Sequence, residues 1–207
     1  MNNFIVFDGM DGSGKGTVLD IFRQYCEGKS IDVVFTREPG GCPDAELIRK
    51  KIFDEPNMSS RERFDLMWEA RMLHMSQKIL PSLRAGAHVF CDRFDSSTWA
   101  YDVCAAEQSG LVEEFVQLRK MVVEKKKAPD LYVILDLEPE IARDRVMRTN
   151  REKNFLDEKS IDFYRRVRDG FIEFSKTFRA EVVPAYQEPK HVFEDIFFRL
   201  KKRGIIF

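Results

Sequence analysis

The sequence predicts an α/β fold: a five-stranded parallel sheet with helices on both faces. Three observations predict it. Five short runs rich in β-branched and aromatic residues are separated by longer stretches of helical period. Strand and helix alternate, and parallel neighbours need such crossovers. The first run passes straight into a glycine-rich turn and then a helical segment, the form of a phosphate-binding loop. In chain order, FIVF (4–7) is the first strand, apolar throughout as a strand covered on both sides must be. An amphipathic segment at 15–27 follows, then DVVF (32–35), then helical segments at 43–53 and 60–85. HVFC (88–91) is the third strand and 94–125 reads as one long helical stretch. LYVIL (131–135) gives the fourth strand, 138–147 and 157–179 two helices, EVVP (181–184) the fifth strand and 190–202 the last helix.

The 207 residues are enough for one domain, 1–207, and too few for two full catalytic ones. With 43% hydrophobic and 33% charged residues and 18 Phe, the composition is that of a globular protein. Lys and Arg number 34 against 35 Asp and Glu, so no bulk field draws the chain to nucleic acid or an anionic membrane. Any anion site is therefore local. The short basic runs Lys125–Lys127 and Lys201–Arg203 read as solvated helix ends. No apolar run approaches the roughly 18 residues of a membrane helix, and the N-terminus has no leader pattern, so a cytoplasmic address is expected. Cys26, Cys42, Cys91 and Cys104 form no C-x-x-C pair and the three His are scattered, which argues against zinc and disulfide frameworks.

Ligands of such sheets sit at the carboxyl ends of the strands. After the first strand stands DGMDGSGKGT (8–17). Glycines Gly9, Gly12, Gly14 and Gly16 let successive backbone N–H groups face phosphate oxygens, and Lys15 reaches the β and γ phosphates. The pattern G-x-x-x-x-G-K-[ST] is missed by one position, since Gly16 follows the lysine and the hydroxyl comes at Thr17.

The loop DGMDGSGKGT, the segment Thr36-Arg37-Glu38-Pro39-Gly40-Gly41 after the second strand, and Asp92-Arg93-Phe94 with Ser97, Ala100 and Tyr101 after the third resemble thymidylate kinase. The likeness runs from the first strand to the last helix, and the Lys-Gly-Thr loop ending is similar to that of adenylate kinases. The resemblance implies a P-loop NTPase fold with a short basic lid at about 143–156. It implies ATP-dependent phosphorylation of a deoxynucleoside monophosphate, dTMP first, with some tolerance for others and dGMP or dCMP as alternative preferences. ATP would sit on Gly9, Asp11, Gly12, Ser13, Gly14, Lys15, Gly16 and Thr17. Arg37 and Arg93 would hold the acceptor phosphate, and Asp92, with Thr17, would lie near Mg²⁺ directly or through water. Asp11 would face the sugar 3′-hydroxyl, Arg71 and Thr98 the base edge, and Tyr101 the 2′ carbon. Met67 or Trp68 would cover the base where the family has Phe. Asp102 stands in place of a common Gln, and a carboxylate there is expected to pair with Arg71 in preference to facing the base.

Because the phosphate loop carries no arginine, the resemblance places the catalytic arginine in the lid, at Arg148 or Arg151, with Lys153 a weaker choice. Lys15 and Arg93 complete the catalytic set. Adenine would meet the turn Ala185–Pro189. A homodimer through helices including 60–80 is implied, with ATP and the monophosphate as partners and no nucleic acid or membrane. Two other functions compete: a deoxynucleoside kinase with Glu38 as base, and a non-catalytic P-loop protein of the GTPase kind. Arg37 argues against the first, since a cation suits an acceptor that brings its own phosphate. The second lacks an Asn-Lys-x-Asp motif.

Overall fold

A computed structural model describes residues 2–55, 57–149, 156 and 158–205. Its sheet has five parallel strands in the order β2-β3-β1-β4-β5. They are β1 (Phe4–Gly9), β2 (Val33–Arg37), β3 (His88–Asp92), β4 (Leu131–Asp136) and β5 (Ala180–Pro184). The central strand β1 is buried along its whole length, which is why its residues are apolar up to Asp8. Register sets Arg37 of β2 beside Asp92 of β3, and Asp92 beside Phe7 of β1. The residues that end three strands thus share one rim.

The helices are α1 (Lys15–Gly28), α2 (Pro43–Asp54), α3 (Ser60–His74), α4 (Leu80–Arg84), α5 (Asp95–Ser97), α6 (Val112–Leu118), α7 (Pro139–Met147), α8 (Ile161–Thr177) and α9 (Pro189–Lys202). Phe22 of α1 closes one face of the sheet, its ring 5.3 Å from Phe7 and 5.6 Å from Phe90. On the other face Phe94 meets Phe4 at 5.2 Å and Phe174 of α8 meets Tyr132 at 5.0 Å. Each such ring contributes roughly 1.5–3 kcal/mol by leaving water, so truncating Phe22 to Ala costs about 3–5 kcal/mol.

Helix α3 starts at a capping box, in which the Ser59 hydroxyl accepts from Glu62 N–H and the Glu62 carboxylate accepts from Ser59 N–H. It continues through a π-helical turn, Met75–Ile79, into α4, so the predicted 60–85 stretch is one run with a widened turn. The predicted 94–125 helix is two. The π-helical Thr98–Ala105 ends at Ala106, and a short 3-10 turn, Ser109–Leu111, leads into α6 and the π-helical Arg119–Glu124. Gly110 lies in that 3-10 turn, and no Pro marks the break. The helix predicted from 157 begins at Ile161, where the Ser160 hydroxyl caps it by accepting from Phe163 N–H at 3.3 Å. No helix among the described residues is long and apolar enough to cross a membrane.

Candidate functional site

Between β1 and α1 the chain must turn sharply while leaving its N–H groups outward. Gly9 has φ 134° and Gly12 φ 82°, a region where a side chain is strained. A Cβ at Gly9 would run into the Leu135 carbonyl oxygen, and one at Gly12 into that of Ala142. The loop is therefore pressed against β4 and α7 with no room to spare. Lys15, 6% exposed, folds back over it, donating to the carbonyls of Gly9 and Met10, both at 2.9 Å, and to Ser13 Oγ at 3.5 Å. Burial, with Arg93 nearby, pulls its pKa down from 10.5 to about 8. Ser13 is buried, while Gly16 and Thr17 are exposed at the start of α1.

Arg93 leaves β3 with φ 69° and reaches back across β1. Its guanidinium donates to Asp11 Oδ1 at 2.7 Å, Ser97 Oγ at 3.0 Å and Gly9 O at 3.1 Å, and lies 5.4 Å from the Tyr101 ring centroid. Burial opposes its charge, but Asp11, Tyr101 and Asp8 outweigh that and raise its pKa well above the usual value. Asp8, which the sequence pattern does not single out, is the hub: fully buried, it accepts from Ser97 Oγ at 2.7 Å, Ser96 Oγ at 2.6 Å and Gly9 N at 2.9 Å. In sequence nothing distinguishes it from the strand's end. Tyr101 accepts from Asp11 N–H at 3.3 Å.

Arg37 is exposed at the end of β2, its NH2 donating to both oxygens of Glu46 at 3.0 Å. Glu46 of α2 is fixed in turn by Gly41 N–H at 2.9 Å. Arg49, one turn on, donates to Pro39 O at 2.9 Å; burial, with Arg37 and Arg93 nearby, presses its pKa down. Arg37, Arg49 and Arg93 line a cavity of about 780 Å³ together with Asp11, Met67, Asp92, Tyr101, Asp102 and Leu156. A second cavity of about 610 Å³, on the side of Gly16 and Arg23, shares Arg37, Glu46 and Asp92 with it. Asp92 Oδ1 is buried with no hydrogen-bond partner among the described residues. That carboxylate oxygen fits one ligand of a divalent cation that takes its others from phosphates and water, since the described residues hold no cluster of three candidate ligands.

Several expectations need correction. Met67 lines the cavity; Arg71 and Thr98, both fully buried, do not, and neither does Trp68. It is 2% exposed and packs on Phe115 at 5.5 Å, because the next helical position points about 100° away. Asp102 does not pair with Arg71. It accepts from Arg63 Nε at 2.6 Å, the nearest cation one helical turn before Met67. Arg71, fully buried, gives Nε to Glu38 at 2.9 Å and NH2 to Thr98 Oγ1 at 3.1 Å, with its guanidinium over Trp68 and Phe94. Glu38 also meets His74 Nδ1 at 3.0 Å, so both its oxygens are engaged and it is no free base for a hydroxyl.

In the lid run, Arg148 is 78% exposed and pairs with Asp144 at 2.8 Å, one turn earlier. Arg151 and Lys153 lie outside the described residues. Arg145, not singled out from sequence, donates to Ala185 O at 3.2 Å and Gly12 O at 3.5 Å, joining the phosphate loop to the turn expected to meet adenine.

Comparison with known proteins shows the family and agrees with the fold. The profile of the Thymidylate kinase family matches residues 7–196. Thymidylate kinase of Symbiobacterium thermophilum is 38% identical over 201 residues, 95% of this chain and 91% of that one. That of Clostridium novyi is 32% identical over 198 residues, 93% and 95% of the two chains. The crystal structure of thymidylate kinase from Ehrlichia chaffeensis superposes with a TM-score of 0.76 at 29% identity, covering 97% of this chain and 98% of that one.

Proposed function

Because the chain belongs to the thymidylate kinase family, and so is a nucleoside monophosphate kinase that makes dTDP from dTMP with ATP, we propose that it does so by gathered charge with no general base. The observation that carries this reading is the convergence of Lys15, Arg37, Arg49 and Arg93 on one rim while Glu38 is locked between Arg71 and His74. A 5′-phosphate is largely ionised near neutral pH, its second pKa being about 6, so its oxygen is already a nucleophile. The protein then has to hold two anions in line and stabilise the charge on the moving phosphoryl group.

Lys15 and the loop N–H groups would hold the β and γ phosphates of ATP, and Arg37 and Arg93 the acceptor phosphate. Asp11 would face the sugar, and Met67, Arg71, Thr98 and Tyr101 the nucleoside. Asp92, with Thr17 at the loop's end, would hold Mg²⁺, which supplies charge neutralisation across the phosphates. The lid at about 143–156 would close over ATP and bring in Arg148 or Arg151. A cytoplasmic location and a homodimer belong to the same reading. The four cysteines, none of them disulfide-bonded, support the first, and Leu47 (70% exposed) and Met72 (42% exposed) on α2 and α3 support the second.

The test is a coupled ADP-release assay across dTMP, dUMP, dGMP, dCMP, dAMP and thymidine, with and without Mg²⁺. We expect Mg²⁺-dependent turnover led by dTMP. Turnover of thymidine with none of any monophosphate would sink the reading.

A further inference from the structure

Two buried charges on the cavity wall take no part in the phosphate chemistry. Arg63 and Asp102, 12% and 3% exposed, join α3 to the π-helical segment 98–105 and line the cavity beside Met67 and Tyr101. A buried ion pair adds little net stability over an apolar pair of the same size, so its stability alone does not account for it. Only Oδ1 of Asp102 is hydrogen-bonded among the described residues, which leaves Oδ2 as an acceptor. Arg71, close enough to act on the charge of Asp102, has in NH1 a buried donor without a partner among the described residues. An acceptor on the cavity wall suits a base edge that carries a ring N–H, as that of thymine does. Cytosine offers a ring acceptor at the same place.

We propose that Arg63 is a specificity-determining positioning residue, whose ion pair keeps Asp102 the carboxylate that accepts the ring N–H of the base. The proposal rests on the reading that this cavity takes the acceptor nucleotide. Burial pushes the Asp102 carboxyl above its usual range and Arg63 works against that push. Removing Arg63 leaves that push opposed by Arg71 alone and favours the protonated carboxyl, whose O–H is a donor that clashes with thymine and matches cytosine. The other charged groups around the segment are engaged elsewhere. From α8, Arg166 donates to Ala105 O and Glu173 faces Cys104 Sγ; from α5, Asp95 meets Tyr132 and Arg119; on the segment itself, Tyr101 takes Asp11 N–H. Across the cavity Glu38 is held by Arg71 and His74, and Arg93 by Asp11.

The experiment measures kcat and KM with ATP for dTMP, N3-methyl-dTMP and dCMP from pH 6 to 9, in the wild type, Arg63→Met, Arg63→Gln, Arg63→Lys, Asp102→Asn and Arg63→Met/Asp102→Asn. The wild type is expected to prefer dTMP over the other two by about a hundredfold or more in kcat/KM. At pH 6–7 Arg63→Met and Arg63→Gln should raise KM for dTMP about tenfold and narrow its lead over dCMP. That defect should shrink as pH rises and the carboxyl ionises, while Arg63→Lys restores KM. In the Asp102→Asn background, where no charge needs holding, losing Arg63 should add no further change. A KM unchanged in both Arg63→Met and Arg63→Gln, a defect that does not vary with pH, or an equal added loss on Asp102→Asn would overturn the proposal. A wild type that leaves dTMP untouched would overturn the substrate assignment and the proposal with it.

Discussion

Lys15 is held in the phosphate loop at a free-energy cost that pH can reveal. Its folded pKa is about 8 against an ordinary 10.5, burial being the main cause and Arg93 the next. Between those values the unfolded chain binds a proton that the folded chain does not, so stability rises with pH across that window. A tenfold change in proton affinity is worth about 1.36 kcal/mol, so the fall from 10.5 to about 8 amounts to about 3 kcal/mol. Below pH 8 that penalty is present in full, and above 10.5 it is gone. Lys15→Met removes the titrating group. The unfolding free energy of the wild type minus that of Lys15→Met, from urea denaturation without nucleotide, should therefore climb by about 3 kcal/mol as pH goes from 7 to 10.5. Taking a difference cancels other alkaline groups such as the cysteines. ATP should reverse the effect by stabilising the ammonium, so its binding above pH 8 should take up a proton, readable by calorimetry in buffers of different ionisation enthalpy. A difference that stays flat between pH 8 and 10 would refute the reasoning.

Arg93→Ala should lower kcat/KM for dTMP about a hundredfold or more, because it removes charge stabilisation from a buried site; near-wild-type rates in the coupled assay would mean the site is misplaced. Gly12→Ala should weaken ATP binding about tenfold or more, measured by nucleotide titration, since its φ of 82° and the Ala142 carbonyl leave no room for a methyl group. Unchanged affinity would show that the loop can back away from α7. Arg148→Ala should change stability by about 0.5 kcal/mol at most, its pair with Asp144 being exposed, yet lower kcat with little change in KM if the closing lid carries it to the phosphoryl group. Arg151→Ala belongs in the same assay, and if neither variant moves kcat the lid assignment falls.

The sheet is legible in the sequence because strands covered on both faces must be apolar in short runs, and FIVF and LYVIL have no other use for that pattern. Lys15, Arg37, Asp92 and Arg93 are legible because they follow strand ends, where a parallel sheet collects its ligands. What stays hidden depends on rotation about helices and on partners distant in sequence. Choosing between Met67 and Trp68 needs the phase of α3 to one residue, and the π-helical geometry of 98–105 alters such a phase without a mark in the sequence. The desolvated carboxylate of Asp102 does take a cation, as expected, but Arg71 is already claimed by Glu38 and Thr98. The cation it takes is Arg63 of α3, although one donor of Arg71, NH1, stays without a partner among the described residues.

Counting partners also explains how a site of clustered cations stays folded before a phosphate arrives. Each cation of the rim holds a substitute for the anion it is built to meet: main-chain carbonyls on Lys15 and Arg49, Glu46 on Arg37, Asp11 on Arg93. These partners differ in what they can give up. Glu46 grips Arg37 by NH2 alone, with no other hydrogen bond to that guanidinium among the described residues, so Nε and NH1 can turn to an arriving phosphate while the pair persists. Arg93 is tied at Asp11, Ser97 and Gly9 together, and must exchange at least one of these contacts. Lys15 and Arg49 stand apart, since burial among carbonyl dipoles does not neutralise their charge and their pKa values fall where that of Arg93 rises. Binding of the donor phosphates therefore relieves a penalty at Lys15, whereas binding of the acceptor phosphate at Arg37 and Arg93 replaces one partner by another. ATP is accordingly the ligand that should stabilise the fold more, and the rise of stability at alkaline pH is where the difference is read.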